Sequence, residues 1–284
     1  MDDHKQPARP ARRIFLRDLG KGAACAGTAM GVAALVQVID AGSARAAEGE
    51  AKPEAFPGKG YDWNPHRWGY AIDATKCIGC LRCVEACKRE NHVALDAHHF
   101  RTWVERYVYL EGEEKPHIDS QADPVNIAES GGESTYRFAN RYRDAKVEKA
   151  FFVPKMCNHC THPACVQVCP TGATYKTKDG VVLIDHEYCI GCQYCVQACP
   201  YGARFFNVAK GVTDKCTWCY HRITKGMLPA CVEVCPVQAR MFGDLNDPNS
   251  VVSRFVRENR VQVLHPETGN APNVFYVGLD KEVV

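Results

Sequence analysis

The sequence lacks a surplus of charge of either sign, and this excludes one broad class of function. It contains 35 Lys and Arg residues against 33 Asp and Glu residues, for a net charge of +2. Proteins that bind nucleic acids present clustered positive charge to the phosphate backbone. The balanced composition therefore predicts that nucleic acid is not a partner.

The sequence also lacks long apolar runs and the common catalytic fingerprints. After residue 46 there is no run of about 20 apolar residues, the length that a membrane-spanning helix needs. We find no phosphate-binding loop, no flavin fingerprint and no nucleophile beside a general base. We therefore expect a chain that does not itself span a bilayer and that is not an enzyme on its own.

Residues 1–46 have the pattern of an export signal. Arg12 and Arg13 begin a twin-arginine motif, a weakly apolar stretch rich in Gly and Ala follows, and a small-residue cleavage site ends at Ala46. The twin-arginine route carries folded cargo, so we expect a periplasmic protein exported with its cofactors in place. The alternative is an Arg-rich disordered tail. Cys25 lies inside the signal and is expected to be discarded with it.

Cysteine is abundant, and its spacing is regular. Sixteen of the 17 cysteines fall into four groups of four, and the first and third groups are C-x2-C-x2-C-x3-C. Three groups end in Cys-Pro, as in bacterial ferredoxins that hold [4Fe–4S] clusters. The groups are Cys77, Cys80, Cys83 and Cys87; Cys157, Cys160, Cys165 and Cys169; Cys189, Cys192, Cys195 and Cys199; and Cys216, Cys219, Cys231 and Cys235.

This spacing suits iron–sulfur clusters for a physical reason. Three cysteines on one tight loop present three thiolates to three irons, and Gly79 and Gly191 let the backbone approach the cluster closely. The fourth cysteine follows about one helical turn later, points away from the loop and ligates the other cluster of a pair. Sixteen thiolates are enough for four [4Fe–4S] clusters. Disulfides and zinc ribbons are the alternatives, but repeated C-x2-C-x2-C crowding suits neither.

The segments around the motifs predict short elements of an α+β fold. Residues between the last two cysteines of each group should form single helical turns. Short strands should follow the motifs at residues 173–175, 180–185, 203–206 and 239–242. Near the C-terminus, residues 247–250 should cap a helix over 251–260, and residues 273–279 should form a closing strand.

Between Cys87 and Cys157 lies an insertion with its own strand signals. Residues 102–110 and 135–142 have strand-like composition, and the polar residues 111–134 between them should form a surface loop. The insertion is either a docking surface or a cover for the cluster loops.

The sequence resembles a known family in its cysteine motifs and in the segments around them. The phrases CIGCQYCVQACPYGA (residues 189–203) and CTWCYHRITKGMLPACVEVCP (residues 216–236) and the tail FGDLNDP (residues 242–248) are similar to the four-cluster iron–sulfur subunits of the dimethyl-sulfoxide-reductase superfamily. Polysulfide, tetrathionate and nitrite reductase systems have such subunits. The WVERY segment (residues 103–107) and the exported, anchor-free form most resemble the subunit known as DsrO, from the sulfite-reduction-associated Dsr membrane complex.

The resemblance implies two nested ferredoxin-like dicluster units. The first would comprise residues 47–87 and 210–284, the second residues 151–209, with residues 88–150 as a β-rich insertion. The first motif would pair with the fourth and the second with the third. The implied ligand sets are Cys77, Cys80, Cys83 and Cys235; Cys216, Cys219, Cys231 and Cys87; Cys157, Cys160, Cys165 and Cys199; and Cys189, Cys192, Cys195 and Cys169.

The resemblance also implies a role. Such a chain relays electrons between a quinone-reactive integral membrane subunit and a molybdopterin or multihaem cytochrome subunit, and it sits on the membrane through these partners. The alternatives are a free periplasmic ferredoxin shuttle and the iron–sulfur subunit of a molybdopterin tetrathionate or polysulfide reductase. One departure from the pattern is visible, because Lys88 follows Cys87 where the other motifs have proline. We expect it to change only the local turn.

Other candidate side chains have simpler interpretations. His159 and His162 lie inside the second motif and could ligate iron, although the thiolate count is already full. The pair His98-His99 could bind a metal but is more typical of a solvated loop. Trp218 and Tyr194 lie between ligands and could lie along an electron path, although packing against a cluster is the simpler explanation.

Overall fold

The computed structural model describes residues 60–95, 99–121 and 138–283. The predicted export signal and its cleavage site lie outside these residues. In the described part, short helices and small sheets are mixed, which agrees with the predicted α+β class. The strands are β1 Trp68–Asp73, β2 Thr102–Leu110, β3 His117–Ser120, β4 Val147–Met156, β5 Thr174–Lys176, β6 Val182–Ile184, β7 Arg204–Asn207, β8 Val212–Lys215, β9 Arg240–Asp244 and β10 Val274–Val277.

One sheet joins segments that are far apart in the sequence. Strand β1 lies between β9 and β10, antiparallel to the first and parallel to the second. Tyr70 is opposite both Phe242 and Val274 in this sheet. All three side chains are buried. The chain on the N-terminal side of the first cysteine motif is therefore hydrogen-bonded to the chain that follows the fourth.

A second sheet forms within the predicted insertion and its C-terminal flank. Strand β2 begins and ends at the predicted residues and pairs with β3 on one side and with β4 on the other. The prediction of a strand at 135–142 was wrong where it can be compared, because residues 138–142 form a loop and a turn. Strand β4 instead pairs with β2 at that place. It crosses residue 150, the predicted C-terminal end of the insertion, without a break. Strand β3 also lies inside the predicted surface loop.

The remaining strands form two antiparallel hairpins, β5–β6 and β7–β8. Both hairpins follow a cysteine motif directly, as the apolar stretches after these motifs predicted.

The helices of the described ranges are short, and most span a single turn. They are α1 Arg82–Glu90, α2 Ala164–Gln167, α3 Tyr194–Gln197, α4 Tyr220–Ile223, α5 Ala230–Glu233 and α6 Val251–Glu258. Ser250 caps α6 by accepting a hydrogen bond from the Ser253 amide, which confirms the predicted start. No helix in these ranges is long and apolar enough to cross a membrane.

Helix α1 is longer than predicted, and Lys88 is the reason. Helices α2, α3 and α5 all end before a Cys-Pro pair, and proline has no amide hydrogen with which to continue a helix. Lys88 has that hydrogen, so α1 continues past Cys87 to Glu90. The expectation of a purely local change in the turn was therefore wrong. The Lys88 side chain is buried, and its ammonium donates to the Ala94 carbonyl at 2.9 Å.

The helices pack in pairs. Helix α1 of the first motif contacts α5 of the fourth, and α2 of the second motif contacts α3 of the third. Each pair brings together two segments that carry the last cysteines of a motif.

A buried carboxylate in the β5–β6 turn is hydrogen-bonded to the N-terminal end of the described chain. Asp179 is 1% exposed, and its Oδ2 accepts hydrogen bonds from the Tyr61 hydroxyl at 2.7 Å, the Trp68 indole at 3.1 Å and the Tyr220 hydroxyl at 3.0 Å. Buried polar groups contribute to stability only while they stay paired. Asp179 therefore holds three distant segments in one place.

We predict that Asp179→Ala lowers the free energy of unfolding by about 3 kcal/mol, because the buried Tyr220 and the half-buried Tyr61 and Trp68 lose their shared acceptor. Chemical denaturation of the cluster-loaded protein measures this loss. Asp185→Ala is the matched control. Asp185 accepts from the nearby Glu187 amide at 2.9 Å, so a cost below about 1 kcal/mol is expected. Equal costs for the two variants would contradict the anchoring role of Asp179.

Candidate iron–sulfur sites

All sixteen cysteines of the four motifs are free thiols in the structure. None of the described residues forms a disulfide, and no group of three or more His, Cys, Asp or Glu side chains among them converges on a single metal ion. Eight of the thiols instead line two cavities, four thiols to each.

One group of thiols comes from both ends of the described chain. Cys77, Cys80 and Cys83 of the first motif line one cavity together with Cys235 of the fourth. Pro154 and Arg240 also line it. The hydrogen bonds that strand β1 makes with β9 place these motifs side by side.

A second cavity is lined by Cys157, Cys160 and Cys165 of the second motif and by Cys199 of the third. Asn158 lines the same cavity and is 1% exposed. Neither polar atom of its side chain has a hydrogen-bond partner among the described residues. An amide N–H at this position fits a cluster, because the sulfides of a cluster accept hydrogen bonds from the protein.

A third group is wholly buried. Cys87 of the first motif lies within electrostatic range of Cys216, Cys219 and Cys231 of the fourth, and all four are buried. The Asn91 amide links the two segments, since its Nδ2 lies 3.7 Å from the Cys87 Sγ and 3.5 Å from the Cys219 Sγ.

The last four thiols are Cys169, Cys189, Cys192 and Cys195. The contact between α2 and α3 links the segment of Cys169 to that of the other three. The Thr174 amide donates to the Cys169 Sγ at 3.4 Å. Amide and hydroxyl donors lower the pKa of this thiol, although burial works against them.

The loops of the first, third and fourth motifs share an unusual backbone. Leu81, Gln193 and Cys219 have left-handed conformations with φ of 58°, 61° and 50°, each immediately before a helix. Turns of this kind direct successive backbone N–H groups toward one anion. Such loops suit a cluster that carries negative charge.

Gly191 shows how tightly one loop is packed. Its φ is +70°, and a Cβ atom added there would lie 2.7 Å from the carbonyl oxygen of Gly211. Only glycine satisfies both the left-handed backbone and this contact. The close approach seen at Gly191 is to the Gly211 carbonyl, and the approach to a cluster expected from the sequence stays a prediction.

Four cationic side chains that were not predicted from the sequence lie among the thiols. Arg240, Arg204, Lys215 and Arg101 are all buried or nearly so. The Arg204 Nη2 donates to the Cys165 Sγ at 2.9 Å. A signal was present in the sequence, because Arg204 and Arg240 each stand five residues after the last cysteine of their motif.

Burial also sets the protonation of the thiols. It raises the pKa of Cys77 to about 11 and that of Cys160 to about 12, and it raises the pKa of Cys87 well above its usual value. Such thiols keep their protons at neutral pH until iron displaces them. Cluster binding therefore releases protons and is coupled to folding.

Exposure to solvent differs among the four groups of thiols. Cys80 and Cys192 are exposed, and the neighbouring Ile78 and Ile190 are 57% and 59% exposed. The group that contains Cys216 has no exposed member. Two of the four groups therefore open to solvent beside apolar side chains.

The side chains with alternative interpretations can also be placed. His159 is buried, its Nδ1 accepts from the Val182 amide at 3.0 Å, and its ring stacks on Trp218 at 4.1 Å between centroids. His162 and Tyr194 are exposed. The ring of His99 lies 5.2 Å from that of Phe205, whereas His98 is outside the described residues.

Comparison with known families agrees with this chemistry. A family model described as a 4Fe–4S dicluster domain matches residues 76–173, and a second model of the same description matches residues 148–245. The two ranges follow the chain order of the motifs and overlap over residues 148–173. Together they span all four cysteine groups.

Several curated relatives cover most of the chain. A tetrathionate reductase subunit of Salmonella typhimurium is 39% identical over 87% of this chain and 86% of its own length. The corresponding tetrathionate reductase protein of Archaeoglobus fulgidus is 45% identical, with 76% of this chain and 84% of the relative covered. The Hdr-like menaquinol oxidoreductase iron–sulfur subunit 1 of the same archaeon is 34% identical, with 76% and 85% covered.

The thiol array, the dicluster matches and these relatives define an iron–sulfur protein that transfers electrons within an oxidoreductase complex. The chain belongs to the family of iron–sulfur subunits of dimethyl-sulfoxide-reductase-type complexes. Its cofactors are four [4Fe–4S] clusters, which accept and donate single electrons when bound.

We predict that Gly191→Ala disrupts the cluster of its own loop, leaving about 12 irons per chain instead of about 16. The added methyl group meets the Gly211 carbonyl, and the left-handed backbone disfavours alanine. Iron and acid-labile sulfide analysis of the purified protein measures the loss.

Gly202→Ala is the matched control for this change. Gly202 also has a positive φ, of +61°, but an added Cβ would have no neighbour within 4 Å. It should keep about 16 irons. Full iron content in both variants would show that the close approach at Gly191 is not required.

Proposed function

We propose that the chain relays single electrons through its four clusters between a quinone-reactive integral membrane subunit and a second redox subunit. The observation that carries this proposal is the grouping of the thiols and their exposure to solvent. They form four groups, one wholly buried, with exposed cysteines in the groups of Cys80 and Cys192. A row of clusters with accessible ends is what an electron relay requires.

The ligand assignment is part of the proposal. Cluster 1 takes the thiols of the first motif with Cys235, and cluster 2 takes those of the fourth motif with Cys87. Cluster 3 takes the thiols of the second motif with Cys199, and cluster 4 those of the third motif with Cys169. Support for clusters 1 and 3 comes from the two cavities, and support for cluster 2 comes from the surroundings of Cys87.

The same assignment supports a nested arrangement of two dicluster units. Clusters 1 and 2 join the two ends of the described chain, as the β10–β1–β9 sheet and the contact between α1 and α5 do. Clusters 3 and 4 use the two middle motifs, whose helices α2 and α3 are in contact. The order of the relay would then be 1, 2, 3, 4.

Electrons would enter and leave at clusters 1 and 4. Each has an exposed cysteine next to an exposed isoleucine, Ile78 or Ile190. Apolar side chains around an exposed cluster favour a protein partner, because a partner covers them and shortens the path for the electron. Tyr188, 64% exposed, extends the apolar surface beside cluster 4.

The names of the relatives support two kinds of partner. Two of them belong to tetrathionate reductases, which supports a molybdopterin subunit at one end, and one belongs to a menaquinol oxidoreductase, which supports a quinone-reactive subunit at the other. A multihaem cytochrome is the alternative second partner.

The cellular location belongs to the same proposal. The twin-arginine pattern at Arg12 and Arg13 supports export of the folded, cluster-loaded chain to the periplasm. The chain would then attach to the membrane through its integral partner.

The experiment that tests this function is purification of the tagged full-length chain from membranes of its own organism. We predict that it co-purifies with a polytopic membrane protein and a second redox subunit, and that a quinol analogue reduces its clusters. Ile78→Glu and Ile190→Glu should each release a different partner, because a charge enters one apolar surface only.

Val147→Glu is the control, since Val147 is 44% exposed and lies at the N-terminal end of strand β4. It should retain both partners. Recovery of the wild-type chain alone from the soluble periplasmic fraction would instead support a free ferredoxin shuttle. Loss of the same partner from both isoleucine variants would contradict the proposal that the two partners bind at different sites, one beside cluster 1 and one beside cluster 4.

A further inference from the structure

Lys215 occupies a position that is unusual for a lysine. Its side chain is 0% exposed at the end of strand β8, directly before Cys216. Its ammonium donates hydrogen bonds to the carbonyl oxygens of Val182 and, at 2.7 Å, Cys216. Lysine is rarely buried fully unless it is paired with opposite charge.

No carboxylate among the described residues supplies that charge to Lys215. Its neighbour Asp214 turns instead to Arg101, with an Oδ1–Nη2 distance of 2.9 Å. The groups near the ammonium that become negative are the thiols of Cys157, Cys165 and Cys216, and the Arg204 guanidinium is also within electrostatic range. Cys157 belongs to the second motif and Cys216 to the fourth, so the counter-charges of Lys215 come from two different clusters.

The other buried cations occupy comparable positions. Arg240 lies within electrostatic range of Cys83 and Cys231, which belong to clusters 1 and 2 of the proposed assignment. Arg204 lies within range of Cys165 and Cys195, which belong to clusters 3 and 4.

Lys215 completes this series between clusters 2 and 3. Each junction of the proposed relay thus has a buried cation within electrostatic range. The junction at Lys215 is the one that joins the two dicluster units.

We propose that Lys215 is the shared counter-charge of the two middle clusters, and that it raises the reduction potential of both so that an electron crosses between the units without a large energy step. The inference rests on the ligand assignment proposed above. Each transfer moves one electron from a reduced cluster to its oxidised neighbour, with no bond made or broken and no proton moved. A reduced cluster carries one more negative charge, so a nearby cation stabilises it.

The test is a redox titration of the cluster-loaded protein, followed by EPR, for Lys215→Gln beside the wild type. Glutamine keeps an amide donor for the two carbonyl groups but removes the charge. We expect two of the four clusters to become harder to reduce. At a fixed potential their ratio of reduced to oxidised form should fall about tenfold, which equals 59 mV for a one-electron couple.

Two further variants separate charge from structure. Lys215→Arg retains the charge and should restore both potentials toward the wild-type values. Lys176→Met removes an exposed lysine, whose ammonium donates to the Thr161 carbonyl at 3.0 Å, and should shift no potential because water screens that charge.

The outcomes distinguish this inference from the assignment on which it rests. Unchanged potentials in Lys215→Gln would overturn the inference. So would loss of cluster signals from that variant, since it would give Lys215 a role in assembly. The ligand assignment fails instead if Lys215→Gln shifts the reduction potentials of two clusters but Cys157→Ser and Cys216→Ser alter other clusters. Those variants would show that the two shifted clusters are held by different ligand sets.

Discussion

Burial of the cysteine thiols is the constraint on which the rest of the structure depends. Desolvation holds thiols such as Cys87 and Cys160 in their protonated form, so they become thiolates only when iron replaces the proton. Sheets of three strands or two cover the thiols, and the helices between ligands are mostly single turns. Elements this small have little stability of their own, so the clusters have to supply much of the core.

The negative charge of buried clusters has to be compensated by polar and cationic groups of the protein. Part of it comes from backbone N–H groups at left-handed turns, as at Leu81 and Gln193. Another part comes from buried cations, of which Arg240 and Lys215 are the most enclosed. An uncompensated cluster would be costly to bury and difficult to reduce, so the same side chains stabilise the fold and favour electron uptake.

Much of this site could be predicted from the sequence because spacing determines which thiols share a loop. Strand β2 and the cap at Ser250 were also predictable, since alternation and capping are local signals. The strand expected at 135–142 was wrong because composition does not decide which segment pairs with β2, and β4 takes that position. Lys215 was missed because charged residues are ordinarily exposed, and two of the thiols near it, Cys157 and Cys165, belong to a distant motif.

In the proposed arrangement, the last cysteine of the first motif ligates the cluster of the fourth motif, and the last cysteine of the fourth ligates the cluster of the first. This arrangement is tested most directly by EPR-monitored redox titration of Cys235→Ser beside Cys87→Ser. The account predicts that Cys235→Ser alters the cluster held by Cys77, Cys80 and Cys83, whereas Cys87→Ser alters the cluster held by the fourth motif. If each substitution instead alters the cluster of its own motif, or if Cys235→Ser alters a cluster of the two middle motifs, the nested arrangement is contradicted.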